Sequence, residues 1–371
     1  MKCDRCLNED PQYFYYYHGH YYCRKCIEYG KSRILSKEFD PGPQVDYYLN
    51  YELTPMQKAI SKTLVERYQN HQDTVLKAVC GAGKTEMIYE VIKYALNKGQ
   101  RVCFTTPRKE LVIEIATRIK RQFKHIEPTV VYGGHSQTDE GQFIVCTTHQ
   151  LYRYRHYFDL LILDEYDAFP YYHNEVLENI LKTSIRGHYI FMSATLKEGD
   201  INILSRYHQN PIPVPRCIVA LHAINIFLML RQVKKYEHDN KPVLIFVPTI
   251  AQTKKVSRFL KIIAVNHGVA SSKCDHIHGL IDRLKKHQLS AIVTTTILER
   301  GITIANIQVI VFHGEHQVFS KETLIQIAGR AGRIQPYVDG QITIYTCRKT
   351  KAIRQCIKQL TQDNVLSAMN L

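Results

Sequence analysis

At 371 residues the chain is too long for one ordinary core and suits two domains with an appendage. Its 45% hydrophobic and 22% charged residues, with no apolar run near the ~20 residues of a membrane span, exclude a membrane-spanning or low-complexity protein and fit a soluble globular one. Forty-nine Lys and Arg against 34 Asp and Glu leave a net +15, which calls for a polyanionic partner: nucleic acid first, an acidic membrane surface second, with a merely soluble basic surface as the bland reading.

The opening MKCDRC is polar from its first residues, so no secretory leader is expected and the chain is expected in the cytosol. There, 11 cysteines argue against a disulfide framework and invite a metal site. Cys3-x2-Cys6 and Cys23-x2-Cys26 supply it: each pair sets two thiolates on one side of a tight turn, and two such knuckles close a tetrahedral shell with no position for water. Zinc held there would be structural. The segment between the pairs carries seven aromatic residues from Tyr13 to Tyr22, more than so small a module can bury, and structural zinc can add an apparent ~10 to 16 kcal/mol. A redox pair is the rival reading, without the βαβ pattern that would accompany it. His18 and His20 are further potential ligands, although four cysteines suffice. The tyrosines are expected to pack against the zinc knuckle, with stacking on unpaired bases as the other use. The other seven cysteines show no second metal spacing.

Lys37 to Asn50 contains Pro-Gly-Pro and no helical period, which places the end of the module at residue 50. In LTPMQ, Thr54 is a helix N-cap and Pro55 the first helical residue, and Gln57 presents an amide able to read an adenine edge. An apolar strand from Thr74 to Val79 then runs into AVCGAGKTE, Ala78 to Glu86, and a helix-patterned stretch follows. A phosphate-binding loop requires that setting: backbone N–H groups around Gly81, Ala82 and Gly83 face a polyphosphate, Lys84 reaches its terminal phosphates, and Thr85 holds the bridging magnesium. Ala78 replaces the usual first glycine.

The stripe Met87, Ile88, Val91, Ile92, Ala95, Leu96 predicts a helix ended by Gly99. Strands are predicted at 101–107, 142–148, 159–165 and 188–194, with a helix at 108–123. Apolar strands alternating with helices predict an α/β fold with a doubly wound parallel sheet and ligand residues at the strands' carboxyl ends. Asp164 and Glu165 end such a strand: the Asp would hold magnesium through water, and the Glu would polarise the water attacking the γ-phosphate. Ser193-Ala194-Thr195 ends another.

PIPVP, Pro211 to Pro215, cannot be helix interior and marks a linker. Beyond it, strands at 242–249, 291–296, 309–312 and 342–346 alternate with a basic helix at 252–263. This half has no second phosphate loop. It carries TTTILERGITIAN, Thr294 to Asn306, and QIAGRAGR, Gln326 to Arg333, whose Arg330 and Arg333 could neutralise charge on a transferring phosphoryl.

In order, LTPMQ, AVCGAGKT, TTPRKEL, YGGHS, TTHQL, LDEYD, SAT, VPT, TTTILERGIT and QIAGRAGR make Leu53 to Arg333 resemble a superfamily 2 helicase core. The resemblance implies two RecA-like lobes, 51–210 and 211–371, behind the zinc module of 1–50, with ATP between the lobes and single-stranded nucleic acid across their top. By its motifs, Gln57 contacts adenine, Lys84 and Thr85 the phosphates and magnesium, Asp164 the magnesium, Glu165 the attacking water, and Arg330 and Arg333 are the fingers. Thr106, Arg108, Thr148, His149, Thr249 and Thr296 would track the strand. DEYDAFP, TTHQL, ILERG and the four-cysteine start resemble the ComFA family of late competence ATPases, which implies DNA translocation in transformation, a place at the inner face of the membrane, and the uptake channel and other competence proteins as partners. Primosomal restart helicases are similar in their motor but carry their metal insertion in the second lobe. A repair or restart helicase and a nucleotide-switched binding platform are the alternative functions. Gln326 where DEAD-box proteins have a histidine, and Tyr166 at the third position of the DE motif, point to DNA rather than RNA.

Overall fold

The computed structural model describes residues 1–29, 44–134, 140–166, 174–196, 198–271, 277–298 and 304–369. Residues 37–43 of the proline-rich linker, 135–136 of YGGHS, 167–170 of DEYDAFP and 299–303 of TTTILERGITIAN therefore lie outside the described residues. The chain divides into two compact units, Met1–Ala78 with Gly83–Ile203, and Val79–Ala82 with Leu204–Leu371.

The first unit opens on an antiparallel hairpin of β1 (Phe14–Tyr17) and β2 (His20–Cys23). His18 and Gly19 form its two-residue turn, both with positive φ (47° and 82°), the backbone that matches the twist of paired strands. A short strand β3 (Asp46–Tyr47) pairs with β6 (Phe123–Lys124), and between them in sequence lie α1 (Pro55–Gln69), β4 (Thr74–Ala78), α2 (Lys84–Met87), α3 (Tyr89–Asn97), β5 (Val102–Thr106) and α4 (Lys109–Gln122). The unit continues through β7 (Thr129–Val131), β8 (Phe143–Thr147), β9 (Phe158–Asp164), α5 (Glu175–Ser184), β10 (Ile185–Ser193) and β11 (Ile201–Ile203).

Seven of these strands form one sheet in the order β11-β4-β10-β9-β5-β8-β7, every neighbouring pair parallel. β5 and β8 are buried at every residue, and β9 at all but Asp164, as strands covered on both faces must be. The predicted strands and helices of this half all form, with ends shifted by a few residues. Thr54 caps α1: its hydroxyl accepts from Gln57 N at 3.2 Å, while the Gln57 side chain accepts from Thr54 N at 2.9 Å, a reciprocal capping box with Pro55 at the first position.

The second unit holds β12 (Arg216–Val219), α6 (His222–His238), β13 (Val243–Phe246), α7 (Ile250–Ile262), β14 (His267–Ala270), α8 (Ile277–Lys285), β15 (Ala291–Thr294), β16 (Gln308–Phe312), α9 (Lys321–Ala328), β17 (Ile342–Thr346) and α10 (Lys351–Met369). Its sheet is parallel throughout, ordered β12-β17-β16-β13-β15-β14. Each unit is thus a RecA-like lobe. No helix among the described residues is long and apolar enough to cross a membrane.

The hairpin corrects one expectation. Tyr15, Tyr16, Tyr17 and Tyr21 are 53–65% exposed rather than packed on the cysteines. A two-stranded ribbon has two faces and its cysteines lie at one end, so the aromatic rings pair across the strands instead, Tyr16 with Tyr21 at 4.8 Å and Tyr15 with Tyr22 at 5.9 Å between centroids. Only Phe14 of the run packs on the cysteine cluster.

The capping box is a measurable piece of this fold. Thr54→Ala should cost about 1 kcal/mol of stability, read as a lower urea midpoint at unchanged slope; an unmoved midpoint would show that the cap does not hold α1.

Candidate nucleotide site and four-cysteine cluster

The first lobe's sheet sets its functional residues along one edge, because all of its strands end on the same side. After β4 the chain turns through Gly81 and Gly83, whose φ values of 88° and 81° belong to the left-handed region that favours glycine. A Cβ at Gly83 would stand 2.3 Å from Gln57 Nε2 and would push that side chain aside. α2 then starts at Lys84, so the first N–H groups of a helix open onto the loop.

Lys84 Nζ donates to Asp164 Oδ1 at 3.1 Å, with both side chains less than a fifth exposed. The lysine comes from the loop after β4 and the aspartate from the end of β9, and β10 lies between those strands. Glu165 follows in the left-handed region at φ 62°, a conformation that costs a side-chain-bearing residue about 1–3 kcal/mol, and its N–H donates to Asp164 Oδ1 at 3.0 Å. Its carboxylate is buried, with Oε2 3.8 Å from Arg108 Nε. Thr85 is half-buried beside Lys84. Gln57 is buried, its amide oxygen engaged by the capping box and its amide nitrogen turned to Gly83. At the end of β10, Ser193 Oγ accepts from Thr195 N at 3.1 Å.

The residues expected to track a strand continue along this edge. Thr106 ends β5 and Thr148 follows β8; both are buried, and neither hydroxyl has a hydrogen-bond partner among the described residues. Arg108 and His149 are half-buried beside them, and burial lowers the His149 pKa, partly opposed by the Glu28 carboxylate. In the second lobe, Thr249 is exposed and caps α7 by accepting from Gln252 N at 3.2 Å, while Thr296 is half-buried after β15. Gln326 is buried near the end of α9; Arg330 is buried and Arg333 half-buried in the turn beyond it. Gly332 there has φ 60°, and an added Cβ would stand 2.1 Å from Val338 O.

Reading the motifs missed Arg206, the largest fully buried side chain, which donates to backbone carbonyls 123 to 126 residues away. Nothing in SRYHQN signals it. Only the presence of an arginine outside any motif was legible.

The four-cysteine cluster forms as spaced. The sulfurs of Cys3, Cys6, Cys23 and Cys26 all lie within 4.8 Å of one another, with Cys3–Cys26 and Cys6–Cys23 both at 3.7 Å. A disulfide would need ~2 Å, whereas a tetrahedron with zinc–sulfur bonds of ~2.3 Å has edges of about 3.8 Å. The hydrogen bond between Cys26 and Cys3 pulls the Cys3 thiol down to about 4 and pushes Cys26 up, and burial pushes Cys6 up to about 11. The donor set thus fits zinc. The module is fastened to the first lobe at both helix ends of α5 and beside β9: Lys25 to Glu175 at 2.9 Å, Asn179 Nδ2 to Cys6 O at 2.9 Å, Thr183 Oγ1 to Arg5 O at 2.9 Å, and Arg155 to Asp4 at 3.0 Å.

Comparison with known proteins agrees with this geometry. Residues 50–198 match the family described as type III restriction enzyme, res subunit, and residues 225–335 the helicase conserved C-terminal domain. The chain is 32% identical to competence protein ComFA of Bacillus subtilis, covering 99% of this chain and 86% of that one, and 31% identical to ComFA of Streptococcus pneumoniae, covering 98% and 90%. Among solved structures, Saccharomyces cerevisiae Dbp5 bound to RNA and ADP BeF3 superposes with a TM-score of 0.61 over 84% of this chain and 92% of that one, at 14% identity, a likeness of fold alone.

The cluster makes a direct prediction. Cys3→Ser and Cys23→Ser should each lower the zinc bound per purified chain to less than half that of the parent, measured by elemental mass spectrometry; undiminished zinc in either variant would rule out the four-thiolate site.

Proposed function

The chain belongs to the ComFA family of competence proteins, and on that premise we propose that it is a translocase that moves single-stranded DNA during bacterial transformation. Its helicase-type ATPase core requires ATP and Mg2+. The observation that carries the reading is the Lys84–Asp164 pair with Glu165 beside it, built on the carboxyl edge of a parallel sheet.

Lys84 and the N–H groups of the loop at Gly81, Ala82 and Gly83 would hold the phosphates, and Thr85 and Asp164 would hold the magnesium, which when bound would neutralise charge on the phosphates. With a nucleotide and metal bound, Lys84 would pair with the polyphosphate and Asp164 with the metal, so neither charge would be left unpaired. Glu165 orients the attacking water and accepts its proton. Arg330 and Arg333, carried by the second lobe, neutralise charge on the transferring phosphoryl. Gln57 contacts the adenine edge through its side-chain amide.

We assign residues 1–50 to the zinc module, 51–210 to the first lobe and 211–371 to the second, with 204–210 packing in the second unit. Thr106, Arg108, Thr148, His149, Thr249 and Thr296 follow the DNA backbone, and the net +15 favours the polyanion at every step. Zinc holds the amino-terminal module in shape against α5. The uptake channel at the inner face of the membrane and other competence proteins are the partners of this reading.

Purified protein should hydrolyse ATP at least about tenfold faster with single-stranded DNA than with RNA or with no nucleic acid; equal rates under the three conditions would overturn the translocase reading. Lys84→Ala and Glu165→Gln should each lower the DNA-stimulated rate by about 100-fold or more, and a fully active variant would displace that residue from the site.

A further inference from the structure

In the second lobe, the turn that follows α9 carries Arg330 and Arg333, so its backbone decides where their guanidinium groups can reach. Its N–H groups continue the helix: Gly329 N donates to Ile325 O at 2.9 Å, Arg330 N to Ile327 O at 3.1 Å, and Ala331 N to Ala328 O at 3.2 Å. Its carbonyls have no later helical turn to accept from, the ordinary fate of a helix C-terminus. They are met by Arg206. Nη1 donates to Ala331 O at 2.9 Å and to Gly332 O, and Nη2 donates to Gly329 O at 3.4 Å.

His208 adds a second contact on the same turn. Its Nδ1 accepts from Asn210 N at 3.2 Å, which leaves the proton on Nε2, and Nε2 lies 3.2 Å from Gly332 O and donates to it. Burial and the neighbouring Arg206 charge lower the His208 pKa, in keeping with a neutral ring.

Arg206 is 1% exposed, and among the described residues every hydrogen-bond partner of its guanidinium is a backbone carbonyl. Burial brings it down to about 10, so it remains a cation at neutral pH. A buried charge that pairs with no carboxylate among the described residues is expensive, and this one is offset by three carbonyl dipoles at the negative end of α9. The planar fork spans carbonyls from Gly329 to Gly332 at once, a reach that a lysine's point charge lacks.

We propose that Arg206 is a positioning residue for the arginine pair: it fixes the Gly329–Gly332 turn so that Arg330 and Arg333 project in register. The inference rests on the proposed role of Arg330 and Arg333 as phosphoryl-neutralising groups.

The test uses the full chain with single-stranded DNA. Arg206→Lys keeps the charge and removes the fork. It should lower kcat for ATP about 100-fold, the order expected of a misplacement near 1 Å, while KM for ATP changes by less than about threefold. Combined with Arg333→Ala, it should add no more than about threefold to the loss caused by Arg333→Ala alone, because both act through one group. Near-parental turnover in a folded Arg206→Lys protein, or losses that multiply in the double variant, would overturn the inference. Loss of the cooperative thermal transition in both Arg206→Lys and Arg206→Met would overturn it too, by showing that Arg206 supports the lobe rather than the turn. If the parent lacks DNA-stimulated ATPase, or if Arg333→Ala is fully active, the translocase reading fails and takes this inference with it. Full activity of Arg206→Lys beside an inactive Arg333→Ala sinks the positioning role alone.

Discussion

A lysine and an aspartate 80 residues apart form the ion pair at the centre of the first lobe, and they meet only because β4 and β9 run in the same direction, one strand apart. Parallel pairing is the constraint from which the rest follows. It demands a crossover after each strand, which supplies α3, α4 and α5. It covers the strands on both faces, which leaves β5, β8 and β9 almost wholly buried. It also gathers the strand ends on one edge, where polar side chains can emerge without breaking the core. Along that edge run the phosphate loop after β4, Ser193 at β10, Asp164 at β9, Thr106 at β5 and Thr148 after β8. The residues proposed for nucleotide chemistry and those proposed for the strand are therefore neighbours by topology.

The amino-terminal module shows the opposite economy. Its hairpin is too small to bury its aromatic residues, and its tyrosines stand largely in solvent, so the four sulfurs and the contacts to α5 hold it in place. Asn179 and Thr183 bind backbone carbonyls of the first cysteine knuckle, Cys6 and Arg5, and the Lys25 and Arg155 pairs are peripheral and contribute little by comparison. A zinc ion there would shape a surface rather than a reaction.

Much of this was legible in the chain. Lys84, Asp164 and Glu165 announce themselves because a phosphate site needs glycine turns and strand-end carboxylates at fixed places, and the Thr54 cap because Thr-Pro before an apolar stripe has few other uses. The four cysteines were legible from spacing alone. Less visible were the edge strands β7, β11, β12 and β14, of three or four residues each, too short to show a period. The exposure of Tyr15, Tyr16, Tyr17 and Tyr21 was misjudged because composition does not say that a ribbon has no second layer. Arg206 was invisible for a different reason: its partners are carbonyls, which every residue has, brought to it by a fold that closes over more than a hundred residues.

The central claim is that ATP turnover moves the protein along a strand, and displacement of streptavidin from the end of a biotinylated single-stranded oligonucleotide measures that directly. The account predicts displacement with ATP and Mg2+, none with a non-hydrolysable analogue, and none by Glu165→Gln. DNA-stimulated hydrolysis with no displacement from either end would contradict it and leave a nucleotide-switched binding platform.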